Sequence, residues 1–135
     1  MPTTSWLTPR RPEQDAEAVV LASLLEVKSL RHVPGFLAAS LRVWLQVRGS
    51  EGAWGVSLRA QPLRRRFWTL SAWRDRESLE RFVRTEPHVS IMRRQHDVMR
   101  EAVFTEWTVP ASDLPITWKD ATERVERRRK GSRAA

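Results

Sequence analysis

The chain has 135 residues, room for one hydrophobic core of ordinary size and too little for two. Its 41% hydrophobic and 30% charged residues are a globular balance, and no apolar run approaches the roughly 18 residues of a membrane-spanning helix, so neither a spanning segment nor a membrane partner is expected. The absence of cysteine excludes disulfides, thiolate nucleophiles and Cys-based metal sites. The N-terminal stretch places its basic residues after its apolar ones and has no apolar h-region, so it does not read as a secretory signal and a cytoplasmic location is expected.

The net charge is +8, and half of that excess lies between Lys119 and Arg133. All but Lys28, Lys119 and Lys130 of the 24 basic residues are arginine. No aromatic-interleaved strand motif or recognition-helix pattern accompanies the charge, so nucleic acid is not an expected partner. The basic tail reads as a solvated helix end, with an anchor for an acidic partner as the alternative.

In chain order, residues 1–16 are Pro-, Thr- and Arg-rich without periodicity and read as an arm that trails in solvent or lies across a partner. Residues 18–27 are apolar on both alternating faces and predict a central strand covered on each side. The chain's own helices would cover one face and a second copy of the chain the other. Residues 36–48 follow as a helix whose broad apolar arc runs through Phe36, Leu37, Ser40, Leu41, Val43, Trp44, Leu45 and Val47, with Arg42 and Gln46 opposite. Gly49–Gly52 end it.

Residues 53–60 alternate, with Trp54, Val56 and Leu58 on one face. Residues 66–73 alternate as Phe67, Thr69, Ser71 and Trp73 against Trp68, Leu70 and Ala72, and the short link between the two segments predicts a hairpin. Asp75 can cap a second helix, with Leu79, Phe82 and Val83 inward. Pro87 interrupts it, and a restart places His88, Ile91, Met92, Gln95, Val98 and Met99 on one arc. Residues 102–109 form the last strand, closed by Pro110. Thr117 and Asp120 resemble a capping box opening a charged terminal helix that frays into Arg127–Lys130. The order is β-α-β-β-α-β, an α+β ferredoxin-like domain over residues 17–110 with a four-stranded antiparallel sheet, paired as a homodimeric α+β barrel, with an extra C-terminal helix and basic tail in 111–135.

The run Phe67-Trp68-Thr69-Leu70-Ser71-Ala72-Trp73-Arg74-Asp75, followed by Leu79, Phe82, Pro87-His88 and Ile91-Met92, resembles the dimeric α+β barrel superfamily, and its antibiotic-biosynthesis-monooxygenase-like branch in particular, over about residues 18–109. Ser40 to Trp118, including Phe104–Pro110, is similar to an uncharacterised group of small bacterial proteins. The superfamily holds cofactor-independent quinone-forming monooxygenases, haem-degrading enzymes, peroxidase-like haem proteins, simple lyases and isomerases, and members without known activity, so the resemblance implies a fold and a pocket rather than one reaction. Aligned without gaps from Leu70-Ser71-Ala72-Trp73, the haem-degrading branch's helical tryptophan falls on Phe82 and its iron-ligating histidine on Met92. Both positions depart from that pattern, with His88 one turn earlier.

His88 on an apolar arc is the leading candidate for acid–base chemistry, with a structural, hydrogen-bonded histidine as the alternative. His32 and His96 read as loop or solvent-facing residues, and no two histidines have metal-motif spacing. If the Thr69-Ser71-Trp73 face looks toward the helices, Ser40, Thr69, Ser71 and Gln95 converge with His88; a one-residue register change would turn that face to the subunit interface instead. Seven tryptophans and no tyrosine supply rigid walls for a flat aromatic ligand, with Trp44, Trp73 and Trp107 the pocket candidates. The expected catalytic pair is His88 and Ser71, and the expected ligand contacts are Ser40, Trp44, Thr69, Trp73, Met92, Gln95 and Trp107, with no metal and no cofactor. The function expected is a small-molecule-binding protein resembling cofactor-independent monooxygenases of aromatic or polyketide-like substrates. A non-catalytic ligand-binding or regulatory dimer and a haem protein ligated through His88 are the alternatives.

Overall fold

The computed structural model describes residues 3–4, 6–12 and 15–134, with side chains as far as Gly131; the Arg133 side chain, counted in the basic tail, lies outside the described residues. Four strands, β1 (Glu17–Val27), β2 (Ala53–Gln61), β3 (Arg66–Trp73) and β4 (Met99–Pro110), form one antiparallel sheet in the order β2-β3-β1-β4. Helices α1 (Val33–Arg48), α2 (Arg76–Val83) and α3 (His88–Gln95) lie on one face, and α4 (Trp118–Ala134) lies on the other. This is the ferredoxin-like α+β order expected from the strand and helix periodicities.

Local chemistry accounts for the element ends. Asp75 accepts a 2.7 Å hydrogen bond from the Ser78 backbone N–H at the start of α2, and the Ser78 hydroxyl, followed by that bond, holds the carboxyl below its ordinary pKa. Thr117 caps α4 by accepting from the Asp120 N–H at 3.2 Å. Between Ala53 and Gly55 the pairing of β2 with β3 slips by one residue. At such a bulge two residues oppose one, so Trp54 turns to the α4 face while Val56 and Leu58 keep to the α1 face, separating three residues that strict alternation would group.

Every residue of β1 from Ala22 to Val27 is buried, as a strand covered on both sides requires. The covering of the second face differs from expectation. Ala18, Val20, Ala22, Leu24, Trp68, Leu70 and Ala72 are dry within a single chain because α4 lays Ala121 and Val125 on them, with Trp118, Leu114 and Ile116 at the margin. A second copy is not needed there. Nor does α4 fray at Arg127: it runs on to Ala134, docked by Val125 and by a 2.6 Å Arg129–Glu101 ion pair to β4. The described part of the N-terminal arm does not trail in solvent; it adds to the edge of β2 through the Leu7–Val56 backbone pair at 3.0 and 2.9 Å and the Thr4–Leu58 bond at 2.8 Å. Gly55 makes room for this, since a Cβ there would fall 1.9 Å from the Trp6 ring.

Val125 is fully buried. Val125→Asp, which places an unpaired carboxylate against the sheet, is expected to lower stability by about 3 kcal/mol or more in urea titration, whereas Arg127→Ala on the exposed side of the same helix leaves the midpoint in place.

Candidate functional site

Between the sheet and α1, α2 and α3 lies a cavity of about 700 Å³, a size suited to a drug-sized ligand. Its floor is the face of β1, β2 and β3 carrying Leu21, Ser23, Leu25, Val56, Leu58, Thr69 and Ser71, which fixes the register: the Thr69 and Ser71 side looks toward the helices. Its roof includes Ser40 and Trp44 from α1, Phe82 from α2, and His88, Met92 and Gln95 from α3. The residues at the centre of the floor are small, so no side chain fills the space above them.

The hydroxyls inside are partnered, whereas the buried Trp44 indole N–H has no hydrogen-bond partner among the described residues. Ser23 and Thr69, directly opposite each other on β1 and β3, share a hydroxyl–hydroxyl hydrogen bond. The Ser71 hydroxyl accepts from the Trp73 indole at 2.9 Å, and the Ser40 hydroxyl donates to the Phe36 carbonyl at 2.9 Å. Arg76 closes one rim, 3.4 Å from Glu106 of β4 and 3.4 Å from Glu80; these groups are well exposed, so the pairs are weak and can open.

His88 is half-buried at the cavity wall, its ring 5.0 Å from Phe82. Its Nδ1 is 3.0 Å from the Val83 carbonyl. A carbonyl only accepts, so Nδ1 carries the proton in the neutral ring and Nε2 keeps the basic lone pair. Burial lowers the His88 pKa, opposed by the Val83 bond, so the ring is neutral at pH 7. Gln46 sets its position: the side-chain amide donates to the Phe82 carbonyl at 3.0 Å and the Thr85 carbonyl at 3.1 Å, while its oxygen accepts from the His88 N–H at 2.9 Å. One residue thus ties α1 to both sides of the α2–α3 junction.

Of the expected site residues, Ser40, Trp44, Thr69, Ser71, His88, Met92 and Gln95 border this cavity. Two do not. Trp73 is fully buried behind Ser71, 5.0 Å from Phe82, and backs the wall rather than forming it. Trp107 points to the opposite face of β4, where Arg124 of α4 lies 4.4 Å over its ring, because β4 alternates strictly and Phe104 and Glu106 take the cavity side. The buried arc of α1 is narrower than its apolar spacing predicts: Leu37, Leu41 and Leu45 are 38%, 47% and 56% exposed, and Gln46, opposite that arc, is the clamp. Ser23, Arg76 and Glu106 were missed. Pairing of β1 with β3 would have exposed Ser23, but that register is set by the fold, not by either segment alone.

The family model for a domain of unknown function, DUF3291, matches residues 14–135. The chain belongs to the DUF3291 family. No curated protein matches its sequence. Among solved structures it is similar to PA3566 from Pseudomonas aeruginosa, at 16% identity and a TM-score of 0.62, over 70% of this chain and 96% of that one. It is also similar to SnoaB, a cofactor-independent oxygenase from Streptomyces nogalater, at 12% identity and a TM-score of 0.58, over 73% and 98% of the two chains. A candidate antibiotic biosynthesis monooxygenase from Nitrosomonas europaea matches at 16% identity and a TM-score of 0.60, over 78% and 98%. At these identities the likeness establishes for DUF3291 a shared fold with monooxygenase-like proteins, and no more.

Titration of the His88 ring by NMR is expected to give a pKa below the ordinary value of about 6.5, with the Nδ1–H tautomer at high pH. A folded-state pKa below the unfolded one means that this group's contribution to stability is present above about pH 6.5 and is lost as pH falls through the folded value. Gln46→Ala, which frees the junction, is expected to move the His88 pKa back toward the ordinary value.

Proposed function

We propose that this chain binds a flat, weakly acidic aromatic molecule in the cavity and promotes its oxygenation without a bound cofactor, with His88 as the general base. The observation that carries this reading is the state of His88: its proton is committed to Val83, and its basic Nε2 belongs to a ring bordering a mostly apolar cavity. Nε2 takes a proton from an acidic C–H flanked by phenol rings, leaving a carbanion. The carbanion passes one electron to dioxygen, the radical pair joins through a C–O bond, and the peroxide takes up the proton; loss of the second hydrogen of that methylene carbon with cleavage of the O–O bond then releases water and leaves a carbonyl. Dioxygen is the oxidant and water the second product.

In this reading the hydroxyls of Thr69 and Ser71 re-aim toward a developing oxyanion, and Trp44 and Met92 sandwich the rings. The apolar walls keep the anion from being reprotonated by bulk water. The fold shared with SnoaB is consistent with such a site. A second reading, binding without turnover, is favoured by one feature: Ser23, Thr69, Ser71 and Ser40 already satisfy their hydrogen bonds within the chain.

Dioxygen uptake with an anthrone-type substrate separates the two. Catalysis through His88 predicts that His88→Ala loses roughly 10²- to 10⁴-fold in rate while still binding the product quinone, and that the wild-type rate rises with pH through the lowered His88 pKa to a plateau near neutrality. Equal rates in the two proteins contradict the role of His88. Saturable binding with no uptake above buffer establishes the second reading.

A further inference from the structure

The fold gathers at one end of the molecule the far ends of β1, of the β2–β3 hairpin and of α4, and the start of β4. Short bonds fasten them together: Val27 N–H to the Arg65 carbonyl at 2.9 Å, Lys28 N–H to the Val98 carbonyl at 2.9 Å, and the Arg65 guanidinium to the Lys28 carbonyl at 3.0 Å. Three of the carboxylates here are consumed within the fold, while Asp97, beside Val98, is exposed with the His96 ring 3.6 Å away. Glu26 pairs with Arg66 at 3.3 Å and Arg100 at 3.7 Å, and Glu101 and Glu126 both pair with Arg129, at 2.6 and 3.7 Å. That leaves Lys28, Arg31, Arg64, Arg127 and Arg128 exposed, with no carboxylate in ion-pairing range among the described residues. The opposite end is mixed, with Glu51 between Arg74 and Arg81, Asp75 on Arg74 and Asp120 on Arg124.

Two large apolar side chains project from this positive end. Leu63, in the turn at residues 62–64 that closes the β2–β3 hairpin, is 90% exposed, and Leu30, in the turn after β1, is 56% exposed. Each lies two residues from a member of the Arg65–Lys28 pair, so the two tips are fixed relative to each other by that bond.

The geometry points to a docking surface for an anionic lipid bilayer. The ring of Lys28, Arg31, Arg64, Arg127 and Arg128 meets the headgroup phosphates, and Leu30 and Leu63 enter the boundary between headgroups and acyl chains. A nucleic-acid surface would use the same cations, but it gives a leucine tip nothing to insert into, and no aromatic ring is exposed here to stack on a base. The contact is peripheral: no described helix is long and apolar enough to cross a membrane, and the leucines lie too far apart in sequence for any apolar run to reveal them.

Co-sedimentation of the full chain with vesicles tests this, using phosphatidylcholine alone and phosphatidylcholine with about 30% phosphatidylglycerol. Expected is binding to the anionic vesicles, little to the neutral ones, and a decline as salt is raised. Leu30→Ser with Leu63→Ser is expected to weaken binding roughly tenfold or more, and Arg64→Glu with Arg128→Glu to abolish it. These positions are on the surface, and circular dichroism melts confirm that the variants fold. The inference is overturned if anionic vesicles do not retain the wild type. It is equally overturned if the leucine pair binds as the wild type does, and a DNA duplex of about 20 base pairs retained by both proteins would then assign the surface to nucleic acid.

Discussion

A strand that is dry on both sides needs two covering layers, and β1 is buried without interruption from Ala22 to Val27. This requirement organises the molecule. The sheet's α4 face is closed by Ala121 and Val125 packed on alanines, branched aliphatics and the rings of Trp54 and Trp68. Its other face carries Ser23, Thr69 and Ser71 at the centre and bulky groups such as Phe67 and Trp73 toward the ends. Helix α1 meets Phe67 through Phe36 and α2 meets Trp73 through Phe82, and the helices span the small middle. The filled core and the cavity are therefore two outcomes of one rule applied to two different sets of side chains.

That division also explains where reactivity can reside. On the filled face the Ser57 hydroxyl is locked into structural bonds, donating to the Thr4 carbonyl and accepting from the Trp118 indole. On the hollow face Ser23 and Thr69 bond to each other, Ser71 accepts from Trp73 and Ser40 donates to Phe36, yet these hydroxyls border the cavity and can exchange those partners for a ligand's oxygen. His88 differs from them because its Nδ1 alone is committed, to Val83, and because Gln46 of α1 holds its backbone directly. The helix break at Pro87 is thus the means by which an imidazole is set at a fixed angle to the cavity wall.

Much of the fold was legible in the residues. Period-two alternation in 66–73 placed Thr69 and Ser71 together, Asp75 and Thr117 marked helix starts, and Pro87 divided the second helical region. Legibility ended where the decision belonged to distant parts of the chain. The sequence shows that β1 needs a second cover but not which segment supplies it: α4 is charged enough to read as a solvated tail, and the contact rests on Ala121 and Val125 among arginines. Trp107 read as a pocket wall because aromatic residues suit one, and only the register of β4 against β1 sends it to the other face. The bulge that turns Trp54 away and the clamp made by Gln46 are likewise tertiary facts without a local signal.

The central claim is that the second face of the sheet is shielded by the chain's own C-terminal helix. The absence of native cysteine makes it testable through Ala22→Cys, a small apolar exchange at a position 1% exposed beneath α4. The rate at which this thiol reacts with a disulfide reagent is to be measured from about 100 µM down to about 0.1 µM protein. Cover within one chain predicts slow labelling at a rate independent of concentration. Labelling that quickens on dilution would mean that a second molecule supplies the cover, and would contradict the account.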